Sequence, residues 1–202
     1  MLDDATAAHD EPDGALVARI PFGARVLVVE RDGGWASVLT PDGTRWWLRE
    51  TALGVGAGAH DPSAVPAVLA RFRQFVGVPY LWGGRTPYGF DCSGLSQAFW
   101  EMLGIIIPRD ADQQARAGTD PGDDRRPGDL LFFHSHGSPP DSGITHVAIV
   151  LDETSVLHAS SGNGAVAINS LDPAGPRFSP ILRETFVAAR RFGPAAALGR
   201  PG

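Results

Sequence analysis

The sequence predicts an α+β fold: a small all-β domain first, then a larger domain whose helical half precedes an antiparallel sheet. Three observations predict it. From about 15 to 53, short apolar runs alternate with Gly- and Pro-containing turns, the pattern of a small barrel. From 62 to 103, apolar residues recur at helical spacing. From 129 to 192, short β-rich stretches are separated by turn residues.

The elements follow in order. Residues 1–14 are acidic and polar and lack the basic start and apolar stretch of a secretory leader. The expectation is a cytoplasmic protein, or a secreted one if a leader has been removed. Val26-Leu27-Val28-Val29-Glu30 reads as a strand, Asp32-Gly33-Gly34 as a turn and Trp35-Ala36-Ser37-Val38-Leu39 as a second strand. Pro41-Asp42-Gly43 turns again before a third strand, Trp46-Trp47-Leu48. These give a β-barrel domain over 1–53 and a glycine-rich linker over 54–61. The preceding strand and the following helix are not placed as a nucleotide-binding glycine loop needs, so a connector is expected.

The second domain is expected over 62–194, with a frayed tail over 195–202. Asp61 can cap a helix that starts at Pro62, with Val65, Val68, Leu69, Phe72, Phe75 and Val76 on one face. A second helix carries Leu95, Ala98, Phe99, Met102 and Leu103 and stops at Gly104. Strands are expected near 129–134, 146–151, 155–160, 164–169 and 185–192.

Composition narrows the function classes. The chain has 202 residues, 43% hydrophobic and 20% charged, an ordinary globular balance, and no apolar run long enough to span a membrane. A net charge of −6 without any basic stretch argues against nucleic acid or anionic membrane partners. All 17 basic residues are arginine, which excludes lysine Schiff-base chemistry and Walker-type phosphate loops.

Cys92 is the only cysteine, so it forms no internal disulfide. It lies between Asp91 and Ser93 at a loop-to-helix junction, not within an apolar run. Unpaired N–H groups at a helix start favour an anion and would lower a thiol pKa from about 8.5 toward neutrality. Downstream, Thr145-His146-Val147-Ala148-Ile149-Val150 and Val156-Leu157-His158-Ala159-Ser160 each hold a histidine in a strand-like run. Cysteine, then histidine, then a second polar residue is the order of papain-like cysteine hydrolases. The alternatives are a buried structural thiol and a strand histidine bonded to a carbonyl. Adjacent antiparallel strands would put His146 and His158 on one face, with His158 orienting His146. His134 and His136, with Asp141 and His146, form a competing zinc-like constellation, although the stretch from 135 to 143 reads as a loop rimming a cleft.

Further motifs make a resemblance. Tyr80-Leu81-Trp82-Gly83-Gly84-Arg85-Thr86-Pro87-Tyr88-Gly89-Phe90-Asp91-Cys92-Ser93-Gly94-Leu95 resembles the signature of the NlpC family of bacterial cell-wall cysteine peptidases. Gly104-Ile105-Ile106-Ile107-Pro108-Arg109 followed by Gln114, and Arg126-Pro127-Gly128-Asp129-Leu130-Leu131-Phe132-Phe133, are similar to later stretches of that family. The likeness runs from about 65 to 192. The turns and tryptophans before it resemble the bacterial SH3-like barrel that often precedes such a domain.

The resemblance implies a papain-like fold with Cys92 as nucleophile, His146 as base and acid, and His158 as orienting residue. It implies Tyr80 as an oxyanion donor beside the Cys92 N–H. Asp91 and Ser93 would bind the free α-amine of an L-Ala residue, with Trp82 in the signature and Glu30, Trp46 or Trp47 on the barrel as further substrate contacts. Asp91 would also serve as a helix cap. The implied substrate is a murein-derived L-Ala-γ-D-Glu-diamino acid peptide, cut at the γ-D-glutamyl bond, with no cofactor and no metal. Two alternatives remain open: a wall hydrolase or amidase of the same fold, and a non-catalytic wall-binding module.

Overall fold

The computed structural model describes residues 5–53, 61–139 and 141–193. The expected tail over 195–202 and all of the expected linker except Asp61 lie outside the described residues. Chain contacts separate two units, Met1–Gly56 and Ala57–Gly202.

The first unit is all-β: β1 (Ala5–His9), β2 (Leu16–Pro21), β3 (Leu27–Asp32), β4 (Trp35–Leu39) and β5 (Arg45–Arg49). They form one antiparallel sheet in the order β2-β1-β5-β4-β3. Among the described residues no pairing joins the edge strands β2 and β3, so the expected barrel is here an open sheet. Pro21 ends β2, and Gly23, at φ 80, turns the chain before β3. Ala8, Val38 and Leu48 are its buried centre, flanked by Ile20, Val26 and Trp46. β1 was not expected from its Ala-rich sequence; it is a strand because it pairs with β2 and β5.

The second unit opens with Asp61, whose carboxylate accepts from Ser63 N, followed by α1 (Val65–Arg73). Leu69 and Phe72 are buried on its inner face, and Phe75 just beyond it; Val76 is exposed. Short β6 (Arg85–Thr86) and β7 (Gly89–Phe90) form a hairpin that leads into α2 (Cys92–Met102). Phe99 on α2 meets Phe72 edge-on, at 5.5 Å between ring centres. Burying one such phenylalanine against another is worth a few kcal/mol, about 3–5 when it is cut to alanine. Two helices that were not expected, α3 (Ala111–Ala117) and α4 (Pro180–Glu184), are each under eight residues long.

The sheet comprises β8 (Leu130–Phe133), β9 (His146–Val150), β10 (Ser155–Ser160), β11 (Ala165–Ser170) and β12 (Phe186–Arg190). Its order is β11-β10-β9-β8-β12, antiparallel throughout. Asp129, buried just before β8, accepts from Arg126 N and from both Nε and Nη2 of Arg191, which follows β12. That half-buried ion pair, with Asp129 buried and Arg191 partly exposed, ties the middle of the chain to the last described strand.

Two glycines allow the close approach on which α2 depends. A Cβ on Gly94 would collide with Gly84 O, and one on Gly84 would collide with the Gly89 backbone. Gly94→Ala is therefore expected to lower stability by about 1–3 kcal/mol, although alanine is the better helix former by up to about 1 kcal/mol. Urea unfolding reads this; a neutral or stabilising result would mean that the loop yields without cost.

Candidate active site

Asp91 is the N-cap of α2, and Cys92 is the first helical residue. Asp91 Oδ1 accepts from Gly94 N at 2.6 Å, satisfying a free N–H of the first turn. Its Oδ2 accepts from Gly83 N at 2.8 Å, fixing the glycine loop. The Arg109 guanidinium grips the same carboxylate with both ends, Nη1 to Oδ1 at 3.1 Å and Nη2 to Oδ2 at 2.5 Å. Nη1 also donates to Ser93 Oγ at 2.8 Å. Asp91 is buried, and its lone pairs are largely taken. The capping role is thus visible directly. The amine-binding role implied by resemblance would fall to a carboxylate already neutralised by Arg109, a partner that sequence reading did not supply. Gln114 reinforces this corner: its Nε2 donates to Ser93 O and Pro108 O, and its Oε1 accepts from Ser96 Oγ.

The sulfur of Cys92 is half-buried and lies near the start of β9, close enough to the Val147 N–H for that dipole to favour the thiolate. The β9–β10 ladder runs only through Val156↔Val150 and Leu157↔Ile149, which leaves the first residues of β9 open to this contact. The expectation of a lowered thiol pKa is corrected here. Burial pushes the thiol up and outweighs the N–H groups of Val147, Ser93 and Cys92 that pull it down; the Asp91 charge adds to the rise. A helix dipole gives about 0.3–1 kcal/mol, less than desolvation takes from a buried ion.

His146 precedes Val147, at the start of β9. Its Nε2 lies 2.8 Å from His158 Nδ1. His158 Nε2 donates to Asn169 Oδ1 at 2.9 Å. Desolvation, then the neighbouring His158 ring, pushes His146 from 6.5 down to about 3. His158 is also lowered by burial, partly offset by its bond to Asn169. The resting pair is a neutral thiol and a neutral imidazole. Such a pair can act by passing the thiol proton to the imidazole as the sulfur attacks.

Tyr80 is anchored by Tyr80 N donating to Gly164 O at 2.9 Å and is bridged to Phe90. Burial and the charges of Cys92 and Asp91 raise its phenol, which places it in the same cluster as a neutral O–H donor. Trp82 is 87% exposed in the loop before α2. Glu30 and Trp47 lie in the first unit: Glu30 pairs with Arg45 at 3.2 Å, and Trp47 faces Ser37 across β4–β5. His134 Nδ1 donates to Ser135 O at 2.9 Å, and no metal-binding group of three His, Cys, Asp or Glu side chains is found among the described residues. Arg109 and Asn169 are the residues that sequence reading missed. Arg109 lay within a quoted motif without a role; Asn169 could be found only from the register of β11.

The histidine shifts set a pH dependence. Unfolded, His146 titrates near 6.5; folded, at about 3. Between these values the unfolded chain binds the proton and the folded chain does not. Stability from this ring is therefore complete above about 6.5 and falls as pH drops toward 3. At about 1.4 kcal/mol per pH unit the loss from pH 6.5 to 5 is about 2 kcal/mol, with His158 acting in the same direction. Unfolding free energies at pH 7 and pH 5 should show this drop in the wild type and about 2 kcal/mol less of it in His146→Gln. Equal drops would mean that the ring is not desolvated.

The chain matches the NlpC/P60 family over residues 77–179. It is 29% identical over 180 residues to the gamma-D-glutamyl-L-lysine dipeptidyl-peptidase of Bacillus cereus, which covers 87% of this chain and 51% of that protein. To the protein of the same name from Bacillus subtilis it is 33% identical over 173 residues, covering 85% and 56%. To dipeptidyl-peptidase 6 of Lysinibacillus sphaericus it is 37% identical over 159 residues, covering 76% and 55%. This chain thus spans about half the length of these curated relatives. Among solved structures, an NlpC/P60 family protein from Bacillus cereus superposes with a TM-score of 0.73 at 25% identity, over 95% of this chain and 61% of that one. A chain with these motifs in this order, folded in this way, belongs to the NlpC/P60 family.

Proposed function

We propose that this chain is a cysteine peptidase that hydrolyses the γ-D-glutamyl–diamino acid bond of murein stem peptides. The observation that carries the reading is the placement of Cys92: first residue of α2, its sulfur near the Val147 N–H, with His146 the next residue back along β9. The names of the Bacillus relatives support the bond class, since lysine and diaminopimelate are both diamino acids. The N-terminal sheet we take to be an SH3-like module.

In this reading Cys92 attacks the γ-carbonyl carbon of D-Glu while His146 takes the thiol proton. The tetrahedral oxyanion is met by the Cys92 N–H and the Tyr80 hydroxyl. His146 then protonates the departing amine of the diamino acid, leaving a thioester that water hydrolyses with His146 as base. His158 holds the His146 ring. Asp91 and Ser93, beside the nucleophile, are the groups we propose for the α-amine of L-Ala.

Two measurements test this. Cys92→Ala and His146→Ala should each abolish release of diaminopimelate from L-Ala-γ-D-Glu-diaminopimelate, followed by mass spectrometry, while both variants stay folded. Turnover by the pure Cys92→Ala protein would end the proposal. For the amine, Arg109 already balances Asp91, so an ammonium gains less than it would from a free carboxylate. The free peptide is expected to be cut about tenfold faster in kcat/KM than its N-acetyl form, or about 1.4 kcal/mol. Equal rates, or efficient lysis of intact sacculi, would favour a wall hydrolase that ignores the amine.

A further inference from the structure

Asn169 on β11 ends a line of hydrogen bonds that starts at the candidate base. Its amide can be oriented from its partners. Nδ2 lies 2.9 Å from Arg177 O, a carbonyl that only accepts, so that edge is the donor edge. Oδ1 then faces His158 Nε2 at 2.9 Å and Asn163 Nδ2 at 3.1 Å. An amide oxygen only accepts, so His158 carries its proton on Nε2 and its Nδ1 is a bare lone pair. That lone pair accepts from His146 Nε2, 2.8 Å away. A neutral His146 with its proton on Nε2 has its lone pair on Nδ1.

From this geometry we infer that Asn169 is a positioning residue: through His158 it fixes the tautomer of His146 that leaves Nδ1 bare to receive the Cys92 proton. The inference rests on the reading of Cys92 and His146 as nucleophile and base. Replace the Asn169 oxygen with an apolar group, and His158 is free to put its proton on Nδ1. His146 Nε2 must then accept, the His146 proton moves to Nδ1, and the base is lost.

The sheet register makes this arrangement. Leu157↔Ile149 on β9–β10 and His158↔Ala167 on β10–β11 place His146, His158 and Asn169 on one face, each a diagonal step from the next. The far anchor is also fixed. Arg177 is one of only two non-glycine residues at positive φ among the described residues, at 56°. Its carbonyl takes both Asn169 Nδ2 and Ser170 N, the latter at 3.1 Å. Ser179 N, donating to Ser170 O at 2.9 Å, closes the turn behind it. A left-handed turn held from both sides thus points one carbonyl at the amide.

The test is a kinetic cycle on the stem peptide, with the alkylation rate of Cys92 by iodoacetamide as a second readout that needs no substrate. Asn169→Leu, or Asn169→Ala if leucine does not fold, should lower kcat about ten- to a hundredfold with KM within about twofold. Alkylation should slow in parallel. On a His158→Ala background the same change should alter kcat by less than about twofold, because there is no longer a ring to orient. Asn169→Asp keeps an acceptor on His158 Nε2 and should stay within about fivefold of wild type. Asn163→Ala removes the other bond to the same oxygen and should stay within about threefold. The inference is overturned if Asn169→Leu turns over like wild type, if its loss is undiminished on the His158→Ala background, or if the aspartate variant falls as far as leucine. It fails alone if Cys92→Ala and His146→Ala are inactive while Asn169→Leu is normal. If either of those two retains turnover, the peptidase mechanism itself fails.

Discussion

The carboxylate of Asp91 is the constraint from which the rest of the site follows. It accepts from Gly94 N in the first turn of α2, from Gly83 N in the loop and from both ends of the Arg109 guanidinium. A buried carboxylate is costly unless its lone pairs are filled, and here one ion fills them with three separate pieces of chain. Removing any of those pieces leaves charge unpaired, so loop, helix start and arginine arm hold one another in place. Cys92 inherits its position from this arrangement as the next residue. The glycines at 84 and 94 follow from the same demand, since the loop must lie directly on the helix to reach the carboxylate.

That rigidity has an electrostatic consequence. Packing Cys92 against β9 removes it from water, and burial dominates the pull of the surrounding N–H groups. Burial likewise drives His146 toward its neutral form. A thiolate–imidazolium pair is therefore not the resting state. In the proposed mechanism charge would appear only when a reacting carbonyl is present to take it, with the partly buried Tyr80 hydroxyl as a neutral donor in the same cluster. Keeping the resting thiol neutral also limits its oxidation, because the thiolate is the reactive form.

The parts legible in the sequence are those set by local pattern. The helix start at Asp91-Cys92, the strands at β8 to β12 and the pairing of His146 with His158 all come from capping chemistry and periodicity. What was not legible depends on partners distant in the chain. Arg109 reaches Asp91 across 18 positions; Asn169 reaches His158 across 11. β1 is a strand because Ala8 sits opposite Ala18, not because of its own alanines. Residue-level burial on α2 also departed from expectation: Met102 is 42% exposed while Trp100 is buried, so the face turned to the core is rotated from the one its apolar spacing suggested. The thiol pKa went the wrong way for a related reason, since a helix start can be recognised from residue types but desolvation depends on what covers it.

The two halves of the site obtain their accuracy by different means. Cys92, the proposed nucleophile, is held by an ion pair and a cap at the end of a loop. The histidines are held by register, and register in an antiparallel sheet is discrete. A slip of one residue in β10 would send His158 to the opposite face and break its contacts to both His146 and Asn169 at once. Six consecutive pairs between β10 and β11, from Ser155↔Ser170 to Ser160↔Ala165, oppose such a slip. Between β9 and β10 only two pairs are made, and the ladder ends before Val147, whose N–H lies near the sulfur. The sheet thus makes no β9–β10 pairs at the place where Cys92, the proposed nucleophile, approaches. It recovers rigidity there through side chains, by the His146–His158 bond that spans the same two strands.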